Sequence, residues 1–150
     1  MDNDSFGYYI AILRKHFVSY CTEKLSDLGV TYRQLFVLIY ISKKKMCSSK
    51  EIVEYLKIDA GQLNRFLSKL LEKELIFQKK NDTDKRFNIL TLSDKGKKIV
   101  EESHMLFYSW DTQVLSDIDD DSRVELMNLM KTLIEKLTEK NGGKNNEQIE

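Results

Sequence analysis

Apolar residues near the start of the chain recur at steps of three and four positions, the spacing that places them on one face of an α-helix. They predict a first helix from about Ser5 to Leu25 whose apolar face consists of Phe6, Tyr9, Ile10, Leu13, Phe17 and Tyr20. With no proline and six glycines in 150 residues, little interrupts long helices. A mainly helical protein is therefore expected.

Three polar pairs, each spaced three residues apart, indicate where further helices begin. In such a capping box the first side chain accepts a hydrogen bond from a free amide, and the second bonds back. The pairs are Thr31 with Gln34, Ser48 with Glu51, and Asp59 with Gln62. They predict helices over residues 31–41, 48–56 and 59–73. The last two are short-linked, as a helix-turn-helix requires.

Beyond residue 73 the pattern becomes extended. Leu75–Phe77 is a β-prone run, and Phe87–Leu92 alternates its side chains between two faces. Residues 81–85 form a polar loop between the two runs. The sequence thus predicts a two-stranded hairpin placed directly after a helix.

Two longer helices are predicted to follow the hairpin. Ser93 caps the first, whose inward positions are predicted to be Ile99, Ser103, Leu106, Phe107, Trp110 and Val114. Acidic residues from Asp119 favour the start of the second, since they meet the positive end of the helix dipole. Its apolar seam consists of Leu126, Met130, Leu133 and Leu137. Residues 141–150 are predicted to be a disordered tail.

Composition is that of one globular domain, with 41% hydrophobic and 32% charged residues. The longest apolar run, Leu35–Ile41, is too short to cross a bilayer, and the N-terminus has the wrong charge order for a secretory signal. A cytoplasmic protein without a membrane segment is expected. Cys21 and Cys47 are too few and too far apart to suggest a disulfide framework or a metal site. Both are expected to be reduced thiols, and no metal or other cofactor is expected.

The net charge of zero conceals a strong separation of charge along the chain. Residues 43–86 have 12 basic and 7 acidic side chains, whereas residues 111–150 have 5 basic and 10 acidic ones. Exposed charges are screened beyond roughly 10 Å at 0.1 M salt. A basic surface in residues 43–86 can therefore attract nucleic acid despite the neutral total, although solvated helix faces would give the same count.

The helix predicted from Asp59 has small or hydrogen-bonding side chains at its start, as a helix entering the DNA major groove needs. Five residues are predicted to face the bases: Ala60, Gly61, Gln62, Asn64 and Arg65. Lys69 and Lys73 are expected to meet phosphates. The opposite face is expected to pack on the core through Leu63, Phe66, Leu67, Leu70 and Leu71. In isolation, an ordinary amphipathic surface helix would have the same pattern.

The hairpin and its flanks resemble the wing signature of the MarR (multiple antibiotic resistance regulator) family of transcription factors. The matching residues are Asp84, Arg86, Leu90, Leu92, Ser93 and Gly96. The similarity continues back over residues 52–76, although Glu74 stands where family members usually have glycine. It implies a mainly α (α+β) fold, a winged helix-turn-helix with a two-stranded wing and long N- and C-terminal dimerisation helices.

The resemblance also implies roles for the hairpin residues. Arg86 would reach into the minor groove while Asp84 holds its guanidinium, and phosphates would be met by Lys79, Lys80 and Lys85. As an alternative, Asp84 and Arg86 form an exposed ion pair without a function.

At the level of the whole chain, the resemblance implies a homodimer on a pseudo-palindromic operator, and we expect a repressor. Residues 1–28 and 94–140 would form the dimerisation region, and residues 31–92 the DNA-binding lobe. An intramolecular helix pair is the alternative to the dimer. A winged-helix module that binds another protein and barely contacts DNA is the alternative to the regulator. No catalytic motif such as HExxH or GxSxG is present, so an enzyme is not expected.

A small aromatic or phenolic effector is the last expectation from the resemblance. Six residues are candidates for its site: His16, Tyr20, Tyr32, His104, Tyr108 and Trp110. Each of them could equally be a packed aromatic or a surface histidine. A redox role for Cys21 is not expected because it lies late in the first helix; lysines near Cys47 favour a lowered pKa, yet an inert thiol is the expectation for both.

Overall fold

A computed structural model describes residues 4–84 and 86–146, with side chains through Glu139. The described elements, in chain order, are α1 (Phe6–Leu25), a 3₁₀ turn (Ser26–Leu28), α2 (Tyr32–Lys44), β1 (Cys47–Ser48), α3 (Ser49–Leu56), α4 (Ala60–Glu72), β2 (Ile76–Lys80), β3 (Asn88–Leu92), α5 (Asp94–Val114) and α6 (Asp120–Asn146). They divide into two compact units, residues 1–110 and residues 111–150.

The helix starts follow the predicted capping pairs, with one correction. Thr31 and Gln34 form a complete capping box before α2, and Ser48 and Glu51 form another before α3. At α4 only half of the predicted box is present. The Gln62 amide donates to Asp59 Oδ2 at 3.0 Å, but the Gln62 side chain does not bond back and instead lines a cavity beside α2. Asp59 is therefore a simple N-cap.

The core of the first unit is built around α2, which is apolar on nearly all sides and is correspondingly enclosed. Its buried side chains pack with the inner faces of α4, the sheet and α5; among the largest fully buried residues are Leu35, Leu38, Ile41, Leu63, Leu70, Ile76 and Leu90. The predicted inner face of α4 is confirmed, with Leu63, Leu67 and Leu70 buried and Phe66 and Leu71 packed against the core.

The sheet has three antiparallel strands in the order β1-β3-β2. The predicted hairpin is formed by β2 and β3, with Ile76 opposite Leu92 and Lys80 opposite Asn88. Strand β1, which pairs Cys47 with Leu90 and Ser48 with Ile89, was not predicted. A strand of two residues is too short to have an alternating pattern, and it is recognisable only from its partner.

Helix α5 corrects part of the predicted inward face. Ser103 and Leu106 are buried, and Ile99, Phe107 and Trp110 are partly buried, but Val114 is 43% exposed at the end of the helix. Val100, which was not predicted, is buried instead.

The predicted apolar faces of α1 and α6 are largely exposed in the single chain. On α1, Phe6 and Leu13 are 61% and 55% exposed, whereas Phe17 and Tyr20 pack against the core. On α6, all four seam residues are exposed: Leu126, Met130, Leu133 and Leu137. Helix α6 continues to Asn146, into the stretch where a disordered tail is predicted, and residues 147–150 lie outside the described residues.

Helix α4 ends in a left-handed turn at Glu74, where φ is 59°. The Leu75 amide donates to the Leu70 carbonyl at 2.9 Å, and the Glu74 amide donates to the Leu71 carbonyl at 3.0 Å. This is the Schellman motif that usually has glycine at the left-handed position. Glu74 therefore stands in place of the usual glycine, and the turn is still formed.

The start of α5 is fastened to the same turn. The Ser93 hydroxyl donates to the Glu74 carbonyl at 2.7 Å and accepts from the Gly96 amide at 3.1 Å, while the Ser93 amide donates to the Leu75 carbonyl at 3.0 Å. A side chain at Gly96 would overlap the Leu75 carbonyl oxygen, so the absence of a Cβ permits this close approach. We call Glu74, Leu75, Ser93 and Gly96 the α4–α5 junction.

Substitutions at this junction should change stability in opposite directions. Gly96→Ala should lower the free energy of unfolding by about 1–3 kcal/mol, because the methyl group displaces backbone. Glu74→Gly should raise it by about 0.5–1 kcal/mol, because relief of about 1–2 kcal/mol of left-handed strain exceeds the added chain entropy. Urea unfolding at one protein concentration measures both, and a stabilised Gly96→Ala variant would contradict the close approach.

Candidate nucleic-acid interface

The first two turns of α4 present the predicted recognition residues. The Asp59 cap fixes the start of the helix, and burial of Leu63 and Leu67 fixes its rotation. Ala60, Gly61, Asn64 and Arg65 are consequently exposed, whereas Gln62 is partly buried. Lys69, one turn beyond Arg65, is also exposed. The arrangement offers amide and guanidinium groups on one open face, as base-edge recognition requires.

Asp84 holds Arg86 at the tip of the β2–β3 hairpin. Arg86 Nε donates to Asp84 Oδ1 at 3.0 Å, Arg86 Nη2 donates to Oδ2 at 2.9 Å, and the Arg86 amide donates to Oδ1 at 3.1 Å. These bonds lower the pKa of Asp84 and raise that of Arg86, so both remain charged at neutral pH. The Arg86 side chain is nevertheless 83% exposed, with donors left for a ligand.

The rest of the hairpin loop is ordered by short-range hydrogen bonds. Asn81 Oδ1 accepts from the Thr83 amide and hydroxyl at 3.0 and 2.7 Å. The Asn81 amide donates to the Phe87 carbonyl at 3.0 Å. The Arg86 guanidinium lies 5.7 Å from the centre of the Phe87 ring, a cation–π distance. Lys85, a predicted phosphate contact, lies outside the described residues.

The other two predicted hairpin lysines lie on opposite faces of the sheet. Lys79 and Lys80 are consecutive in β2, and successive side chains of a strand alternate between its faces. Lys80 pairs with Asn88 and shares the face of Leu90, which is buried against the core. Both lysines are exposed, so each is available to a phosphate, but from different sides of the hairpin.

Within the part of the chain that the structure describes, the six predicted effector residues have different surroundings. Tyr20 and Trp110 pack together at a ring-centre distance of 5.2 Å, and the Tyr20 hydroxyl donates to the Leu106 carbonyl at 3.1 Å. His16, His104 and Tyr108 are exposed. Of the six, Tyr32 alone lines a described cavity.

That cavity, of about 380 Å³, lies beside α2 and the α3–α4 turn; it is lined by Arg14, Tyr32, Arg33, Phe36, Leu56, Lys57, Ile58, Asp59 and Gln62. Burial raises the pKa of the Tyr32 phenol, and the charges of Arg14 and Arg33 oppose that shift. These two arginines were not among the predicted residues, because they belong to different helices and no sequence spacing links them.

Both cysteines are buried thiols. Burial raises the pKa of Cys21 to about 11. Burial, followed by the Glu51 charge, also raises the pKa of Cys47 to about 11, and Lys44 opposes this only in part. The lysines near Cys47 therefore do not make it a reactive thiolate.

The folded protein should react slowly with thiol reagents at pH 7.5. A pKa of about 11 leaves a thiolate fraction roughly 100-fold or more below that of an ordinary cysteine of pKa about 8.5. Iodoacetamide alkylation followed by mass spectrometry measures the rate, and denaturant should restore the ordinary rate at both positions. Rapid alkylation of either folded thiol would contradict the burial.

Taken together, a capped recognition-type helix, a short preceding helix and an arginine-tipped hairpin define a winged helix-turn-helix regulator. The sequence profile described as "Transcriptional regulator SarA/Rot" matches residues 19–103. The chain belongs to this family of transcriptional regulators, and the predicted MarR-type identity and fold class are confirmed by the relatives that follow.

The chain is 36% identical to the HTH-type transcriptional regulator BilQ of Clostridium symbiosum, over 86% of this chain and 90% of that protein. It is also similar to the reduced form of MarR from E. coli, with a TM-score of 0.80 at 26% identity over 89% of this chain and 98% of that one. A mutant of the same protein, solved with operator DNA, gives a TM-score of 0.73 at 26% identity over 85% of this chain and 91% of that one. Within the described residues, no helix is long and apolar enough to span a membrane.

Proposed function

We propose that this chain is a homodimeric regulator that binds duplex DNA, with the start of α4 in the major groove and Arg86 in the adjacent minor groove. The observation that carries the proposal is the presence, in one compact unit, of an exposed amide and guanidinium face and an arginine held outward at a hairpin tip. The similarity to an E. coli MarR solved with operator DNA supports it.

Electrostatics supports the same interface. Residues 43–86, which contain α3, α4 and the hairpin, have 12 basic and 7 acidic side chains, a net charge of +5. Cations near phosphates release condensed counterions, which favours binding at low salt. Asp84 reduces the net charge at the hairpin tip, but it holds the guanidinium in a fixed orientation.

The exposed apolar residues of α1 and α6 support a homodimer. Phe6, Tyr9, Ile10 and Leu13 are all more than two-fifths exposed on α1, and the α6 seam residues are exposed as well. Exposed apolar surface of this kind is a typical protein interface, and a second copy offers the same faces. Two recognition helices in a symmetric dimer would lie about 34 Å apart and read a pseudo-palindrome.

We propose repression as the regulatory outcome, since a dimer bound to an operator that overlapped a promoter would exclude polymerase. An aromatic anion is the proposed effector. The cavity beside α2 combines Tyr32 and Phe36 with two arginines, and its volume of about 380 Å³ lies within the usual range for small-molecule sites. Asp59 and Gln62 also line it, so an occupant would contact the start of α4.

Binding to DNA should depend steeply on salt. A dimer that makes about 6–10 phosphate contacts loses on the order of 10³–10⁵ in affinity between 50 and 200 mM salt. Fluorescence anisotropy with an operator selected from random duplexes measures the dependence, and the selected sequences test palindromy. A flat response would favour the alternative of a protein-interaction module.

Arg86→Ala should weaken operator binding by about tenfold or more, because the minor-groove contact of each protomer is lost. Lys136→Ala removes the same charge from an exposed position on α6 and serves as the matched control. Size-exclusion chromatography with light scattering should give a dimer for both variants. Equal affinities of Arg86→Ala and the native chain would exclude the wing assignment.

Benzoate should raise the unfolding temperature of the native chain, because a ligand that binds only the folded state stabilises it. Phenol, which has no charge for Arg14 and Arg33, should raise it less. Arg33→Ala should abolish the difference between the two compounds, whereas Lys15→Ala, an exposed α1 variant, should preserve it. An advantage of benzoate over phenol that is unchanged in Arg33→Ala would place the effector elsewhere.

A further inference from the structure

A polar groove of about 210 Å³ lies between α4 and the wing sheet. Its polar lining residues are Ser49, Asn64, Ser68, Gln78 and Asn88, and leucines complete it. Among the described residues that line this groove there is no carboxylate, whereas Asp59 lines the cavity beside α2. The lining therefore offers hydrogen-bond donors without a charge that repels an anion.

The register of the hairpin accounts for the sheet side of the groove. Gln78 pairs with Leu90, and Lys80 pairs with Asn88, so these four side chains share one face of the sheet. Leu90 is buried at the inner end of that face. Toward the hairpin tip the face changes from apolar to polar, and it ends with the exposed ammonium group of Lys80.

The helix side of the groove is equally regular. Asn64 and Ser68 are four residues apart, which places them on one ridge of α4 beside the buried Leu67. The Ser68 hydroxyl donates to the Asn64 carbonyl at 3.0 Å and retains its acceptor lone pairs. Within the described residues, the side-chain amides of Asn64, Gln78 and Asn88 make no hydrogen bond to the protein. Their N–H groups are available to a ligand.

DNA geometry determines what can occupy this position. One sugar–phosphate backbone separates the major groove from the adjacent minor groove. When α4 enters the first and Arg86 enters the second, that backbone must pass between the helix and the hairpin. The groove lined by Gln78 and Asn88 lies in that interval. Asn, Gln and Ser side chains are common phosphate ligands in protein–DNA complexes.

We propose that this groove seats a phosphodiester of the DNA strand that divides the two grooves. The Gln78 and Asn88 amides donate to its non-bridging oxygens, and Lys80 pairs with the same or the next phosphate. This role rests on the DNA binding proposed above and adds a contact site between its two reading elements. Because the donors are neutral and contact no base, they fix the position of α4 relative to the hairpin and do not select sequence.

The salt dependence of DNA affinity distinguishes a contact made by a neutral donor from a contact made by a lysine. A lysine that neutralises a phosphate releases a counterion, so its loss reduces the slope of log K against log salt by about 1 per contact. A side-chain amide releases none. The double variant Gln78→Ala/Asn88→Ala should therefore bind about tenfold more weakly with an unchanged slope, whereas Lys80→Ala should reduce the slope.

The experiment compares the full-length native chain with this double variant on the selected operator and on an unrelated duplex of equal length. Both duplexes should lose affinity by the same factor, since a phosphate contact carries no sequence information. Thr91→Ala, on the opposite face of β3, and Asn128→Ala, an exposed amide on α6, are the controls. Gln78→Glu/Asn88→Asp preserves side-chain shape and should weaken binding further, because it places carboxylates against the phosphate.

A single methylphosphonate, which removes the charge of one phosphate, locates the contact. When it is placed at each operator phosphate in turn, it should weaken binding by the native chain at the phosphate between the two grooves. At that phosphate it should weaken binding by the double variant less. Such coupling at one phosphate would establish the contact.

Two results with the double variant would overturn the inference. If it lost affinity for the operator alone, the amides would be reading bases. If it bound as tightly as the native chain, the groove would not belong to the interface. If Arg86→Ala remains defective in the second case, the proposed function still stands, whereas failure of the native chain to bind any duplex would overturn that function itself.

Discussion

Ser93 joins three elements with one side chain and one amide. Its hydroxyl donates to the carbonyl of Glu74 at the end of α4 and accepts from the Gly96 amide in α5, while its own amide donates to Leu75 at the start of the hairpin. Helix α4, the β2–β3 hairpin and helix α5 are therefore joined at Ser93. Because these hydrogen bonds are partly or fully buried, replacement of Ser93 by alanine would leave the Glu74 carbonyl and the Gly96 amide without their side-chain partner.

The hydrogen bonds of Ser93 determine how α4 and the hairpin are placed relative to each other. Helix α4 leaves the junction in one direction and the hairpin in another, and the space between them is the groove lined by Gln78 and Asn88. Any change in the Glu74 turn would change the distance between the α4 face and Arg86. DNA presents its two grooves at a nearly constant spacing, so a junction that holds both elements in place would lower the ordering cost of the proposed binding.

Local features of the sequence predicted most of the fold. Thr31, Ser48 and Asp59 fix helix starts through bonds to residues only three positions away, so those starts are readable from the sequence alone. The turn at Glu74 was not readable, because a non-glycine residue in the left-handed region depends on tertiary support from Ser93. Likewise β1 exists through its pairing with β3, and the lining of each cavity comes from helices and strands far apart in the chain.

In the candidate interface, electrostatic attraction and the fixed orientation of side chains come from different residues. At the hairpin tip, Asp84 offsets the charge of Arg86 and thereby weakens long-range attraction to DNA, but the same carboxylate fixes the guanidinium while it remains 83% exposed. The groove between α4 and the wing sheet is lined by uncharged side chains. Their amides provide directional hydrogen bonds but no long-range electrostatic attraction. Attraction at a distance is left to the exposed lysines, among them Lys69, Lys79 and Lys80. In the proposed complex, salt would control how strongly the chain associates with DNA, and the α4–α5 junction would control how α4 and the hairpin are oriented on it.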